Sequence, residues 1–158
     1  MNKVIVASNL ERAKKLGVRL SKAKTLLAAI MPLDIKSFDP DKFDDQLLLQ
    51  LDGFRARFSD YQDLLGQVMF KLVCQVDQDE TPAVVLSTRE RQQLMAKKRL
   101  IDIEVWQTLR EIRNSFTHDY PDQHEEKAMI LNQAWLAVDS LLGMGQAIEA
   151  YLEKVVAE

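Results

Sequence analysis

Only one cysteine, five glycines and four prolines occur in 158 residues, and each shortage excludes something. With Cys74 alone, no internal disulfide can form, and a reducing cytoplasm is the expected compartment. Few turn-forming residues argue against a β fold of many short strands and for long helices. No apolar run approaches the roughly 18 to 20 residues of a membrane span. The opening Met1–Ala7 is too short for the apolar region of a secretory signal, so no membrane association is expected. His118 and His124 lie six apart and no cysteine cluster exists, so no metal and no cofactor is expected. Neither a glycine-rich phosphate loop nor a Gly-x-Ser-x-Gly turn is present. Cys74 itself lies among apolar residues, which favours packing over nucleophilic duty.

Charge is abundant but uneven. The formal net charge is −3, yet residues 1–36 carry eight bases against two acids. Residues 87–118 carry seven bases against four acids, and the remaining stretches are acidic. Such asymmetry permits a local anion-binding surface on a mildly acidic protein, although a solvated surface of mixed charge would read the same way.

Helical periodicity dominates the rest. Ser8 with Glu11 forms a capping-box pattern that predicts the first helix, with Leu10, Ala13, Leu16, Leu20, Ala23, Leu27 and Ile30 at helical spacing until Pro32. Asp39-Pro40 predicts the start of the second. There Leu47, Leu51, Phe54, Phe58, Tyr61, Leu65, Val68 and Leu72 alternate steps of four and three, the mark of near-parallel packing. A polar connection follows, in which Ala83 to Leu86 is the one short strand candidate. Ser87 with Glu90 opens a basic helix ending near Lys98. Asp102 caps a fourth carrying Val105, Leu109, Ile112 and Phe116, which Pro121 stops. Asp122 with Glu125 starts the last, whose stripe is Leu131, Ala134, Val138, Leu141, Ile148 and Leu152. Gly143 and Gly145 inside it suggest close backbone approach or a kink. The expectation is one all-α domain over residues 1–158, an up-and-down bundle of four to five helices.

The chemistry gathers in Arg113-Asn114-Ser115-Phe116-Thr117-His118-Asp119-Tyr120. On a helical wheel with Ile112 facing the core, Asn114 and His118 share the opposite side as an i, i+4 pair. Arg113 lies on the flank, in a second stripe with Trp106, Arg110, Thr117 and, if the helix extends so far, Tyr120. Trp106 and Trp135 read as core or interface anchors. A histidine turned from the core can shuttle protons near neutral pH, and an arginine beside it can clamp phosphate. The alternatives are a surface histidine at a helix C-terminus and a solvated Arg113–Asp119 pair.

The segment Ile101 to Pro121 resembles the signature of the HEPN superfamily and is most similar to its HepT-like branch, whose motif is Arg-x4-His-x-Tyr. Arg113, Asn114, His118 and Tyr120 match that pattern. The resemblance implies a four- to five-helix homodimer with facing motifs, acting as a metal-independent endoribonuclease toxin. It implies a minimal nucleotidyltransferase antitoxin as partner, with Tyr120 as an adenylate acceptor. The alternative it carries is a non-catalytic, substrate-binding partner of a nucleotidyltransferase. On the first reading His118 transfers protons, Arg113 binds phosphate, Asn114 orients it and Tyr120 lines the cleft, leaving a 2′,3′-cyclic phosphate. Arg110, Lys97, Lys98 and Arg99 are then candidates for the RNA backbone track. A dimer also suits the chemistry, because one Arg and one His per chain are sparse for two-sided proton transfer.

Overall fold

Asn2, not Ser8, begins the first helix. A computed structural model of the chain describes residues 2–117 and 123–158. The Asn2 side-chain oxygen accepts from the backbone N–H of Val4 at 3.0 Å and of Ile5 at 3.3 Å. That cap opens α1 (Lys3–Leu27), so the Ser8–Glu11 pattern lies inside the helix and the expected start moves earlier. Asp39 caps only a short 3-10 turn, Pro40–Lys42. The long helix is capped instead by Asp44, whose carboxylate accepts from the Leu47 N–H at 2.7 Å. It comprises α2 (Asp45–Leu64), a π-helical turn Leu65–Met69 and α3 (Phe70–Val76) without a break. The Ser87–Glu90 capping box is realised in both directions and opens α4 (Thr88–Lys97). Asp102 caps α5 (Ile103–Ser115), and α6 (His124–Ala157) closes the fold. Asp122 and Pro121 lie outside the described residues. Ala83 to Leu86 forms no strand; one bridge, Thr81 to Val84, is all the pairing there.

Side-chain contacts give the directions. Lys14 pairs with Glu153 and Lys24 with Asp139, so α1 and α6 run antiparallel. Arg57 donates to the Arg19 carbonyl while Gly17 lies against Tyr61, which sets α1 against α2. Trp106 lies over Gly66 and Arg113 meets Asp63, so α5 opposes α2. The four long rods therefore alternate, as an up-and-down bundle requires. Phe54, Phe58, Phe70, Val138, Leu141 and Ile148 fill its centre and are fully buried. Each such side chain contributes about 1.5–3 kcal/mol by leaving water.

Two details bear on the periodic reading. Val105 is exposed, and the residue that α5 turns inward beside Leu109 and Ile112 is Trp106. The Trp106 ring is thus covered within the chain by Phe70 and Gly66 and offers no surface to a partner copy, while Arg110 and Arg113 of the same stripe stay partly exposed. Gly145 does mark a close approach: a Cβ there would stand 1.8 Å from the Tyr61 hydroxyl, whereas one at Gly143 would meet nothing within 4 Å.

A polar cluster fixes the end of the α2–α3 rod. Lys98 donates to Asp77 at 2.6 Å and pairs with Asp79 at 2.9 Å, and the Tyr151 hydroxyl also donates to Asp77. Arg91 grips Glu80 with two nitrogens. Burial would push the Asp77 carboxyl up, but the hydrogen bonds from Lys98 and Tyr151 outweigh it and hold it low. The Arg91 guanidinium holds Glu80 low against its own burial. Carboxyls held low add stability above their unfolded values, near pH 4, and lose it as pH falls through the folded values. Thermal melts followed by circular dichroism should therefore give a level midpoint from neutral to about pH 5 and a decline below about pH 4. Asp77→Asn and Glu80→Gln variants that lose as much stability at about pH 3 as at about pH 7 would refute these pairings.

Candidate functional site

Between α2, α4 and α5 lies a polar recess of about 520 Å³. Its floor is possible because residue 66 is glycine: a Cβ there would come within 3.1 Å of the Trp106 ring. From α2 come Gln62 and Asp63, from α4 Arg91 and Gln92, and from α5 Trp106, Arg110, Arg113 and Asn114. The structure thus gathers Arg110, Arg113 and Asn114 on one wall. His118 and Tyr120, the other two motif residues, lie outside the described residues.

Arg113 is not a loose surface cation. Its Nε and one Nη donate to the two oxygens of Asp63, both at 2.8 Å. This fork geometry fixes the guanidinium plane and raises the arginine's pKa, the hydrogen bond with Asp63 outweighing burial. Among the described residues, the second terminal nitrogen has no partner. The pair is partly buried and joins residues fifty apart in the chain. Nothing local in the sequence announces it.

The end of α5 is held from below. Arg55 donates to the Phe116 carbonyl at 3.0 Å and lies over its ring, while Phe58 meets that ring edge-on. Thr117 turns its hydroxyl back to the Asn114 carbonyl at 2.7 Å. These contacts satisfy carbonyls that a helix C-terminus leaves unpaired. They also anchor the point from which the chain proceeds to His118. The Asn114 side chain is exposed beside it.

The remaining basic candidates divide. Arg110 lines the recess and has no carboxylate partner among the described residues. Lys97 and Arg99 are exposed at the far end of α4, away from the recess, which takes its lining from the start of that helix. Lys98 does not stand with them, because its ammonium is committed to Asp77 and Asp79. Burial opposes its charge, but those two carboxylates raise its pKa on balance. Cys74 is fully buried and its thiol is pushed up to about 11, chiefly by burial and then by Asp79 and Glu80. It packs and is poorly placed to react.

Around the recess, three buried polar groups escaped the sequence reading. Gln62 and Gln92 are 4% and 3% exposed, and the Trp106 indole N–H is buried without an acceptor among the described residues. Gln62 directly follows Tyr61 in the apolar stripe, and that adjacency is the one signal that could have pointed to it. Among the described residues no group of three or more His, Cys, Asp or Glu side chains is placed to hold a metal ion, and no helix is long and apolar enough to cross a membrane. Comparison of the chain with protein-family models, with curated proteins and with solved structures finds no match.

Proposed function

We propose that this chain is a metal-independent endoribonuclease of the HEPN type, the toxin of a cytoplasmic toxin–antitoxin pair whose antitoxin is a minimal nucleotidyltransferase. The observation that carries the reading is the shared wall of Arg110, Arg113 and Asn114, with His118 four residues beyond Asn114. Arg113, braced by Asp63, can present its remaining nitrogen to a phosphate oxygen without searching for an orientation. An imidazole takes the proton of the ribose 2′-OH as the 2′-oxygen attacks phosphorus. The bond from phosphorus to the 5′-oxygen breaks, and a second imidazolium, supplied by the partner in a homodimer, protonates that oxygen. The products are a 2′,3′-cyclic phosphate and a 5′-hydroxyl. Arg110, with Lys97 and Arg99 further out, steers the RNA backbone.

One observation favours a second reading, a non-catalytic partner that holds a nucleotide or offers Tyr120 to the transferase. Arg91 and Arg113 enter the recess already paired with Glu80 and Asp63, so little net charge remains to draw in a polyanion. The two readings part in a digestion of RNA with EDTA present. The purified chain, free of adenylylation and dimeric by light scattering, should cut RNA and leave cyclic phosphate ends. An inert dimer defeats the ribonuclease and leaves the partner role.

A further inference from the structure

We infer that the apolar slot between the α1–α2 connection, α2, α5 and α6 binds a medium-chain fatty acid, its tail in the slot and its carboxylate at Arg55. Neither the slot nor its ligand depends on the RNA reading above.

The slot holds about 400 Å³, in the range that small-molecule ligands occupy. Phe38, Leu51 and Leu131 are its buried residues, and Leu48, Phe116 and Ile130 are half-buried toward its mouth. Its shape is set in advance. The Leu33 N–H donates to the Asn132 side-chain oxygen at 2.7 Å, and the Asn132 amide donates back to the Leu33 carbonyl at 3.0 Å. That double contact ties the connection carrying Phe38 to α6, one residue from Leu131. Phe43 braces Phe38 edge-on, and Phe58 does the same for Phe116. Walls of aliphatic and aromatic side chains give water little to bond with, so an apolar guest displaces it favourably.

The charges at the rim select the guest's head group. Arg55 and Lys127 are half-buried there, whereas Asp52 and Glu126 are exposed, so the inner charges are positive. Arg55 lies over the Phe116 ring and gives one nitrogen to the Phe116 carbonyl at 3.0 Å. Its contact with Asp52 is 3.6 Å long, and Asp52 faces solvent, so that pair is weak. The guanidinium keeps further N–H groups without a partner among the described residues, and its planar fork suits a carboxylate. An ammonium head would meet cations instead, and a hydroxyl would forgo the charge-assisted bond.

Calorimetric titration of the intact chain with octanoate, octanol, octylammonium and acetate as separate probes tests this. Octanoate should bind about tenfold or more tightly than octanol, with octylammonium and acetate weaker still. Arg55→Gln should lose about tenfold in octanoate affinity and change octanol binding less than about twofold. Arg55 also holds the Phe116 carbonyl, so a second variant is needed that leaves it alone. Ile130→Trp, half-buried at the mouth, should fill the slot and abolish the binding of both, with the parent's circular dichroism spectrum retained. No heat from octanoate overturns the inference. Equal affinity for octanoate and octanol makes the slot indifferent to charge and overturns it, as does octylammonium or acetate binding as tightly as octanoate. Octanoate affinity that survives Ile130→Trp puts the ligand elsewhere and overturns it too. Presence or absence of RNA cleavage leaves all of these outcomes unchanged.

Discussion

Replacing His118 by alanine is expected to slow metal-free RNA cleavage by about 10²- to 10⁴-fold while leaving the thermal midpoint where it was. Imidazole changes charge near pH 6.5, so it can take and return a proton at physiological pH as no other type of unperturbed side chain can. His124 is no substitute: it is half-buried at the head of α6, 3.8 Å from Asp39. Arg113→Ala should differ in kind, losing both activity and stability, because it strips Asp63 of the partner that justifies its partial burial. Arg113→Lys keeps the charge but cannot reproduce the planar double contact, so it should recover stability better than rate. Initial rates of RNA cleavage measured beside melting curves separate these outcomes. A His118→Ala chain as active as the parent ends the proposed chemistry.

The second large effect is on folding. Gly145→Ala should destabilise the protein by about 3 kcal/mol, a fall in melting temperature of roughly 6–12 °C for a chain of this size. Alanine ordinarily favours a helix over glycine by about 1 kcal/mol, so the sign turns on space. A Cβ at 145 would meet the Tyr61 oxygen at 1.8 Å and the ring carbon bearing it at 2.6 Å. Tyr61 is 1% exposed and has no outward escape. Gly143, two residues away, faces open space, so Gly143→Ala should stabilise by about 1 kcal/mol instead. Equal melting temperatures for the two variants would show that Tyr61 yields and that the contact is soft.

The architecture was readable because helix signals are local. Ser87 with Glu90 and Asp102 each stand where the backbone needs an acceptor, and the α6 stripe from Leu131 to Leu152 is buried throughout. Ser8 with Glu11 has the same spelling as Ser87 with Glu90, yet it fails, because Asn2 offers an earlier cap and residues 3–7 have no reason to leave the helix. Phase within a helix was harder. Val68 continues the four-three count but is only half-buried, while Met69 and Phe70 are fully buried, since the π turn advances the register by one. Trp106 seemed lateral on a wheel centred on Ile112; a glycine on another helix makes room for it inside. The site was legible in part. Arg110 and Arg113 share a wall as their common stripe suggests, and Asn114, which the wheel set on the side opposite the core, joins them there; the Asp63 brace and the meeting of Gln62 and Gln92 in one recess depend on which helices become neighbours, and no window along the chain contains that.

The swelling at Leu65–Met69 lets a single rod serve two audiences. Upstream of it Asp63 addresses α5; downstream Phe70 and Cys74 look into the oily centre. Were those five residues to wind at ordinary pitch, everything after them would rotate by about 100° and the pair would be turned toward water. The surplus residue is absorbed rather than propagated. A shortened cousin lacking one residue at that spot could therefore coil evenly and still aim both halves as this chain does.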